Sequence, residues 1–122
     1  MLVRLGCCAF LAVSLLAPHT ARAGCAEEIS KLMSRDTEKL TTRFQRVTRQ
    51  VQQSRTASPK LIQEECRIAR QLKPRLEDQL AALKQSGCVK DPQMGRMIAD
   101  IVRGHEDDLA AANRTTARSE CR

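Results

Sequence analysis

Aromatic residues are almost absent from this chain. Among its 122 residues there is no Trp, no Tyr and only two Phe. Grooves for single-stranded nucleic acid stack bases on aromatic side chains, and the residues that dominate protein interfaces are enriched in Trp and Tyr. The composition therefore disfavours nucleic acid as a partner and leaves charge as the main means of recognition, with a formal net charge of +7.

Motifs that carry catalysis or hold a metal are also missing. No Ser lies in the G-x-S-x-G pattern of hydrolases, and neighbouring carboxylates such as Glu64 and Glu65 point apart on a helix, as surface charges do. His105 is the only histidine beyond residue 23, and with Asp108 it supplies at most two ligands. The sequence therefore indicates no enzyme, no cofactor and no metal site, and the alternative is a metal-dependent or hydrolytic enzyme centred on His105.

The first 23 residues have the features of a secretory signal peptide. Arg4 supplies a positive charge, residues 5–17 form an apolar run, and Ala21-Arg22-Ala23 matches the small-x-small cleavage pattern. The run is shorter than the roughly 20 apolar residues that cross a bilayer. We therefore expect cleavage after Ala23 and a periplasmic or secreted domain over residues 24–122, with no transmembrane span.

A lipidated N terminus is the competing interpretation. The sequence Ala23-Gly24-Cys25 resembles the end of a bacterial lipobox, in which the cysteine carries the lipid. Arg22 replaces an apolar residue of that motif, and polar and small residues separate Cys25 from the apolar run. We therefore expect a mature chain that begins at Gly24 and carries no lipid.

Four of the six cysteines lie beyond the predicted cleavage site. They are Cys25, Cys66, Cys88 and Cys121. An even number of cysteines in an oxidising compartment favours disulfides. Their separations far exceed the two to four positions between paired zinc ligands. Two disulfide bonds are therefore predicted.

Apolar residues recur every three or four positions through three segments, which predicts three helices. The first segment covers residues 26–53 as one continuous stripe. Ser58 followed by Pro59 has the pattern of a helix cap and first helical residue, and it opens the second helix. Asp91 followed by Pro92 repeats this pattern and opens the third.

Three helices joined by short loops predict an all-α protein with an antiparallel up-down-up three-helix bundle. Gly87 is well placed to end the second helix. Pro74 lies inside that helix, where a proline removes a backbone hydrogen bond. Because the apolar spacing continues unbroken across Pro74, we expect a kink there and not a turn.

This topology also predicts the disulfide pairing. The start of the first helix and the end of the second lie at one end of the bundle, which brings Cys25 beside Cys88. The start of the second and the end of the third lie at the other end, which brings Cys66 toward Cys121. Of the three possible pairings, only this one joins cysteines at matching heights, and the second bond requires the C-terminal tail to fold back.

Basic side chains form a row along the first helix, within an arc of about 120° beside its apolar face. They are Lys31, Arg35, Lys39, Arg43, Arg46 and Arg49. We expect a docking surface for an anionic partner, such as a lipid headgroup, an acidic polysaccharide, a nucleic acid or an acidic protein. The alternative is a solvated helix face that Glu106, Asp107 and Asp108 partly neutralise.

The second and third helices carry more apolar residues than one stripe requires. Leu61, Ile68 and Leu72 lie beside the main face of the second helix, and Met94 and Met97 lie on the third. A wide apolar arc with flexible Met suits a self-association surface or a groove for variable clients. We therefore expect a non-enzymatic binding or structural protein of the cell envelope, such as a periplasmic chaperone or adaptor for an anionic or partly unfolded partner, with homodimerisation as an open alternative.

Overall fold

The computed structural model describes residues 17–122, with side chains from Gly24 onward. This part of the chain forms four α-helices and contains no strand. The helices are α1 (Ala17–Leu32), α2 (Arg35–Gln53), α3 (Pro59–Gln85) and α4 (Gly95–Ala117). Short 3-10 turns, Gly87–Lys90 and Ser119–Cys121, follow α3 and α4. The prediction of an all-α protein is confirmed.

Most of the predicted signal peptide lies outside the described residues. The predicted cleavage point after Ala23 falls within α1, and the export signal stays a prediction. Across residues 17–122, no helix is both long enough and apolar enough to cross a membrane.

The prediction of one continuous helix over residues 26–53 is wrong, because a break separates α1 from α2. Ser34 has an extended backbone, and its hydroxyl accepts a hydrogen bond from the backbone N–H of Thr37 at 3.4 Å, as an N-cap does. Asp36 and Glu38 lie in the first turn of α2, where the helix dipole favours negative charge. A new helix therefore begins here although the apolar spacing continues.

α3 begins as predicted and runs without interruption through Pro74. The Ser58 hydroxyl accepts a hydrogen bond from the backbone N–H of Leu61 at 3.2 Å, and Pro59 is the first helical residue. Pro74 is exposed, so its ring displaces no core side chain. At the other end, Ser86 is the C-cap and leads directly into the first 3-10 turn.

α4 begins later than the cap pattern predicted. Asp91 does act as a cap, but for a turn ahead of the helix: its Oδ1 accepts hydrogen bonds from the backbone N–H groups of Gln93 at 2.8 Å and Met94 at 3.1 Å. The helix itself starts at Gly95, which lies against the preceding 3-10 turn. A Cβ atom at this position would stand 2.8 Å from the backbone oxygen of Val89, so the close approach requires glycine.

Buried apolar side chains form two clusters. The first joins α2, α3 and α4 and consists of Phe44, Val47, Ile68, Ala69, Leu72, Leu76 and Ala112. The second joins α1, the end of α3 and the start of α4 and consists of Ile29, Leu83, Cys88 and Ile98. α3 contacts the other three helices and both 3-10 turns, so it is the central helix on which the other elements pack.

Most of the apolar residues that seemed surplus in the sequence belong to this core. Ile68 and Leu72 are fully buried in the first cluster. Leu61 packs against the first cluster and Met94 against the second. Of the five, only Met97 counts as exposed, with 45% of its surface accessible. The wide apolar arc of α3 therefore packs against neighbouring helices on more than one side.

The cysteines lie at disulfide distance in the predicted pairs. The Cα atoms of Cys25 and Cys88 are 5.5 Å apart, and those of Cys66 and Cys121 are 5.3 Å apart. Both separations are typical of disulfide bonds. The tail folds back onto α3 as the second pairing required, and the Arg70 guanidinium donates a hydrogen bond to the carbonyl of Cys121.

Candidate functional site

The helix break divides the predicted row of basic residues. Lys31 lies on α1, where its ammonium is 3.2 Å from the carboxylate of Glu27. The other five lie on α2, and all six are exposed. Arg49 lies apart from the rest, beside a cavity next to Phe44. The row is therefore not one continuous surface.

Four of the six predicted residues line one open groove along α2, with a volume of about 550 Å³. Its described lining, which we call the basic groove, consists of Arg35, Glu38, Lys39, Thr42, Arg43 and Arg46. Four cationic side chains thus share this groove with a single carboxylate. The net charge of this lining is positive, which favours a ligand with several negative charges.

Arg43 has a partner on the next helix, because its guanidinium contacts the carboxylate of Glu64 on α3. Arg67 donates a second hydrogen bond to Glu64 at 2.8 Å. This bond, and after it the positive charge of Arg43, hold the pKa of Glu64 below its ordinary value of 4.5. One cation of the basic groove is therefore partly neutralised from α3.

Among the described side chains, no acidic residue of α4 forms an ion pair with the predicted basic row. The Glu106 carboxylate lies 2.8 Å from the ammonium of Lys84. Oδ1 of Asp108 accepts a hydrogen bond from the Gln45 amide at 3.1 Å. Among the described side chains, three cations of the basic groove take part in no ion pair. They are Arg35, Lys39 and Arg46.

A second candidate surface is a polar cleft between α2 and α4, which both pack on α3. It contains three neighbouring cavities of about 240, 270 and 230 Å³ that share lining residues. Its α2 wall includes Thr37, Thr41, Gln45, Thr48 and Gln52. Its α4 wall includes His105, Asp108, Ala111 and Thr115, and Arg118 follows directly after the end of α4. Two buried polar residues of α3, Gln79 and Glu65, contribute to its lining.

At one end of the polar cleft, both ring nitrogens of His105 have partners. Nδ1 lies 3.0 Å from the carbonyl oxygen of Ile101. Because a carbonyl only accepts, Nδ1 carries the hydrogen in the neutral ring, and Nε2 accepts from the Gln79 amide at 2.7 Å. The same amide nitrogen donates to Sδ of Met33 at 3.2 Å. The ring is held in place as part of a polar network.

The hypothesis of an enzyme centred on His105 gains nothing from this arrangement. The surroundings that would favour it are a coordinated ion or a cluster of carboxylates. Across residues 24–122, no three or more His, Cys, Asp or Glu side chains come together as a metal site. His105 instead contacts an amide and a backbone carbonyl, which is also different from the Leu and Ile packing expected of a simple core residue.

At the other end of the polar cleft, the sequence interpretation of Glu65 as a surface charge is wrong, because only 1% of this residue is exposed. Its Oε1 accepts a hydrogen bond from the Thr115 hydroxyl at 3.3 Å and lies 3.0 Å from Nη2 of Arg118. The N–H groups of Arg118 are not aligned with this oxygen, so the contact is an ion pair without a hydrogen bond. Oε2 of Glu65 and the hydroxyl of Thr48 have no hydrogen-bond partner among the described residues.

Sequence reasoning missed the polar cleft because most of its α2 wall carries no charge, apart from Glu38 and Arg49. Four uncharged polar residues of α2 recur at spacings of four, three and four, the same periodicity that revealed the apolar and basic rows. They are Thr41, Gln45, Thr48 and Gln52. Adjacent residues point in different directions on a helix, so Glu64 reaches the edge of α3 while Glu65 is buried.

No protein-family model, no curated protein and no solved structure matches this chain. The functional argument therefore depends on the chemistry of the basic groove and the polar cleft.

Proposed function

We propose that this chain is a non-enzymatic binding protein of the cell envelope, which docks on an anionic polymer or surface through the basic groove. The supporting observation is the grouping of four exposed cations in one groove, three of them without an ion-pair partner among the described residues. From Arg35 to Arg46 the helix rises about 16 Å at 1.5 Å per residue. A row of this length suits a partner with repeated negative charges.

An anionic partner is favoured over a partly unfolded client. Chaperone surfaces that hold unfolded segments need contiguous exposed apolar area. Among the described residues, the exposed large hydrophobic side chains are Val89, with 42% of its surface accessible, and Met97, with 45%. The exposed cations outnumber these two residues, so we assign recognition to charge.

The envelope location has two supports. The first 23 residues have the pattern of a signal peptide, and disulfide bonds persist mainly in oxidising compartments. We expect the exported chain to begin at Gly24 with no lipid, and intact-mass measurement of the exported product tests this. A diacylglycerol adduct on an N-terminal Cys25 would contradict the proposal.

We further propose that α2, α3 and α4 follow an up-down-up path and that α3 bends at Pro74. Two contacts support the antiparallel path, because Gln79 meets Met33 ahead of α2 while Glu64 meets Arg43 farther along it. Spin labels near the two ends of α3 test the bend. We expect their distance to increase in the Pro74→Ala variant toward the roughly 40 Å of a straight helix of this length. An unchanged distance would show that α3 is straight.

A charge-matched pair of variants tests the docking surface. The first variant changes Arg35, Arg43 and Arg46 to Gln, and the control changes Arg75, Arg96 and Arg103 to Gln, which are exposed and lie outside the groove. Both lose three positive charges. The measurements are retention on heparin and sedimentation with vesicles that contain or lack anionic lipid, each across a salt series.

We expect the groove variant to lose retention at low salt, while the control retains most of the wild-type binding. Wild-type binding should weaken steeply as salt shortens the range of the charges, from about 10 Å at 0.1 M to about 3 Å at 1 M. Far-UV circular dichroism checks that helicity is unchanged. Equal losses of binding in the two variants would show that only net charge matters. The basic row would then be a solvated helix face and not a docking surface.

A further inference from the structure

The pair of Cys25 and Cys88 joins α1 to the 3-10 turn that follows α3. One turn beyond Cys25, the side chain of Ile29 packs with Leu83 and Ile98 in the second apolar cluster. In the expected mature chain only residues 24–32 of α1 remain, and isolated helices shorter than about 12–15 residues are marginal in water. The position of α1 over this cluster therefore depends on the disulfide bond.

The two cysteines of this pair differ in burial. Cys88 is buried, with 2% of its surface exposed, whereas Cys25 is half-buried. A reducing thiolate breaks a disulfide by attacking one sulfur, and the other sulfur leaves as a thiolate. Because an external thiol approaches Cys25 more easily, Cys88 is the residue whose sulfur must leave with the negative charge.

A carboxylate lies beside that leaving sulfur. Oε2 of Glu28 is 3.3 Å from Sγ of Cys88, and Oε1 accepts a hydrogen bond from the Ser86 hydroxyl at 3.2 Å. The same hydroxyl accepts a hydrogen bond from the backbone N–H of Cys88, also at 3.2 Å. No cation of residues 24–122 forms an ion pair with Glu28. Ser86 therefore holds a negative charge against Cys88.

We propose that Glu28 protects the bond between Cys25 and Cys88 from exchange with external thiols. Its charge repels the negative charge that develops on the Cys88 sulfur as the bond breaks, and it equally opposes the Cys88 thiolate that forms the bond again. Near neutral pH the disulfide and the two protonated thiols all leave sulfur uncharged. Glu28 therefore slows both directions and changes the balance between them little, so the link to α1 persists. This inference does not depend on docking of an anionic partner.

Reduction of the folded protein by dithiothreitol at pH 7 tests this proposal. One thiolate of dithiothreitol attacks Sγ of Cys25, and Cys88 leaves as a thiolate that takes a proton from water. The second thiol then attacks the mixed disulfide, so dithiothreitol becomes a cyclic disulfide and Cys25 becomes a thiol. Alkylation at timed intervals, followed by peptide mapping, gives the rate for each bond. The internal reference is the bond between Cys66 and Cys121, which have 0% and 4% of their surface exposed.

The test variant is Glu28→Gln, which keeps an acceptor oxygen for the Ser86 hydroxyl and removes the charge. The matched control is Glu27→Gln, at an exposed residue whose carboxylate pairs with Lys31. We expect the bond between Cys25 and Cys88 to break about fivefold faster in Glu28→Gln, the factor that corresponds to the repulsion of two unit charges about 4 Å apart in bulk water. The rate should be unchanged in Glu27→Gln, and so should the rate of the reference bond in both variants.

The equilibrium between oxidised and reduced protein separates this role from a structural one. In mixtures of reduced and oxidised dithiothreitol, we expect Glu28→Gln to have the same oxidised fraction as the wild type, because both directions accelerate together. A faster reduction matched by an equal fall in the oxidised fraction would show that Glu28 only stabilises α1, and it would overturn the proposal. An unchanged reduction rate in Glu28→Gln, or equal acceleration in Glu27→Gln, would overturn it as well.

Discussion

Removal of the bond between Cys66 and Cys121 measures how far the fold depends on its disulfides. The two residues are 55 positions apart, and the chain-entropy relation converts this loop to about 4.2 kcal/mol at 25 °C. Domains of ordinary size unfold with about 5–15 kcal/mol. We therefore expect the Cys66→Ala/Cys121→Ala variant to lose between a quarter and most of its free energy of unfolding.

The contacts that remain in this variant are too weak to replace the bond. Besides the contact of Arg118 with Glu65, the tail would be held by the hydrogen bond from Arg70 to the carbonyl of residue 121 and by that from the Gln63 amide to the carbonyl of Glu120, at 3.2 Å. A hydrogen bond of this kind contributes about 1 kcal/mol net. We therefore expect residues 118–122 to exchange their amide hydrogens faster in the variant than in the oxidised wild type.

Urea unfolding followed by circular dichroism gives the stability loss, and hydrogen exchange reports on the tail. The matched control is Cys25→Ala/Cys88→Ala, whose bond spans 63 positions and corresponds to about 4.3 kcal/mol. Because the two entropy values are nearly equal, a tail that loosens only in the first variant identifies the local effect. A stability loss below about 1 kcal/mol, or a peptide map of oxidised protein that links Cys66 to Cys88, would refute the reasoning.

Two further predictions concern α4 and α3. Gly95→Ala should destabilise the protein by about 1–3 kcal/mol in thermal unfolding, because the new Cβ would stand 2.8 Å from the backbone oxygen of Val89. Gly104→Ala, where nothing lies within 4 Å, should instead stabilise by up to about 1 kcal/mol; the same sign in both variants would contradict this argument. Since Arg67 lowers the pKa of Glu64 below 4.5, the stability advantage of the wild type over Glu64→Gln should be present above pH 4.5 and disappear as the pH falls through the lowered pKa. An advantage that persists at pH 2 would show that it has another origin.

Local patterns in the sequence were sufficient for much of the fold. The pair Ser58 and Pro59 located the start of α3, because capping depends on a few neighbouring residues. The break before α2 was missed although a signal was present. Ser34 precedes Asp36 and Glu38, which is typical of a helix start, but the apolar spacing continues across the break and favoured a single helix.

The basic row was only partly predictable. Its helical spacing brought four of six residues into one groove, because residues one turn apart lie on the same side of a helix. The contact of Arg43 with Glu64 depends on how α2 and α3 pack, and spacing along one helix carries no information about it. The same limit applies to Asp108, which meets Gln45 across the polar cleft and forms no ion pair with the row among the described residues.

By itself, the sequence determined the helical class, because periodicity and caps are local properties of the chain. The cysteine pairing needed an assumed antiparallel order of the helices as well, and the structure brings the predicted pairs to disulfide distance. Only the tertiary structure decided that Glu65 is buried and that uncharged residues of α2 face α4 across a cavity. Burial of a polar residue on α3 depends on which helices cover it from both sides. That information lies in contacts between residues about 50 positions apart, as between Glu65 and Thr115, and no pattern within a single helix records them.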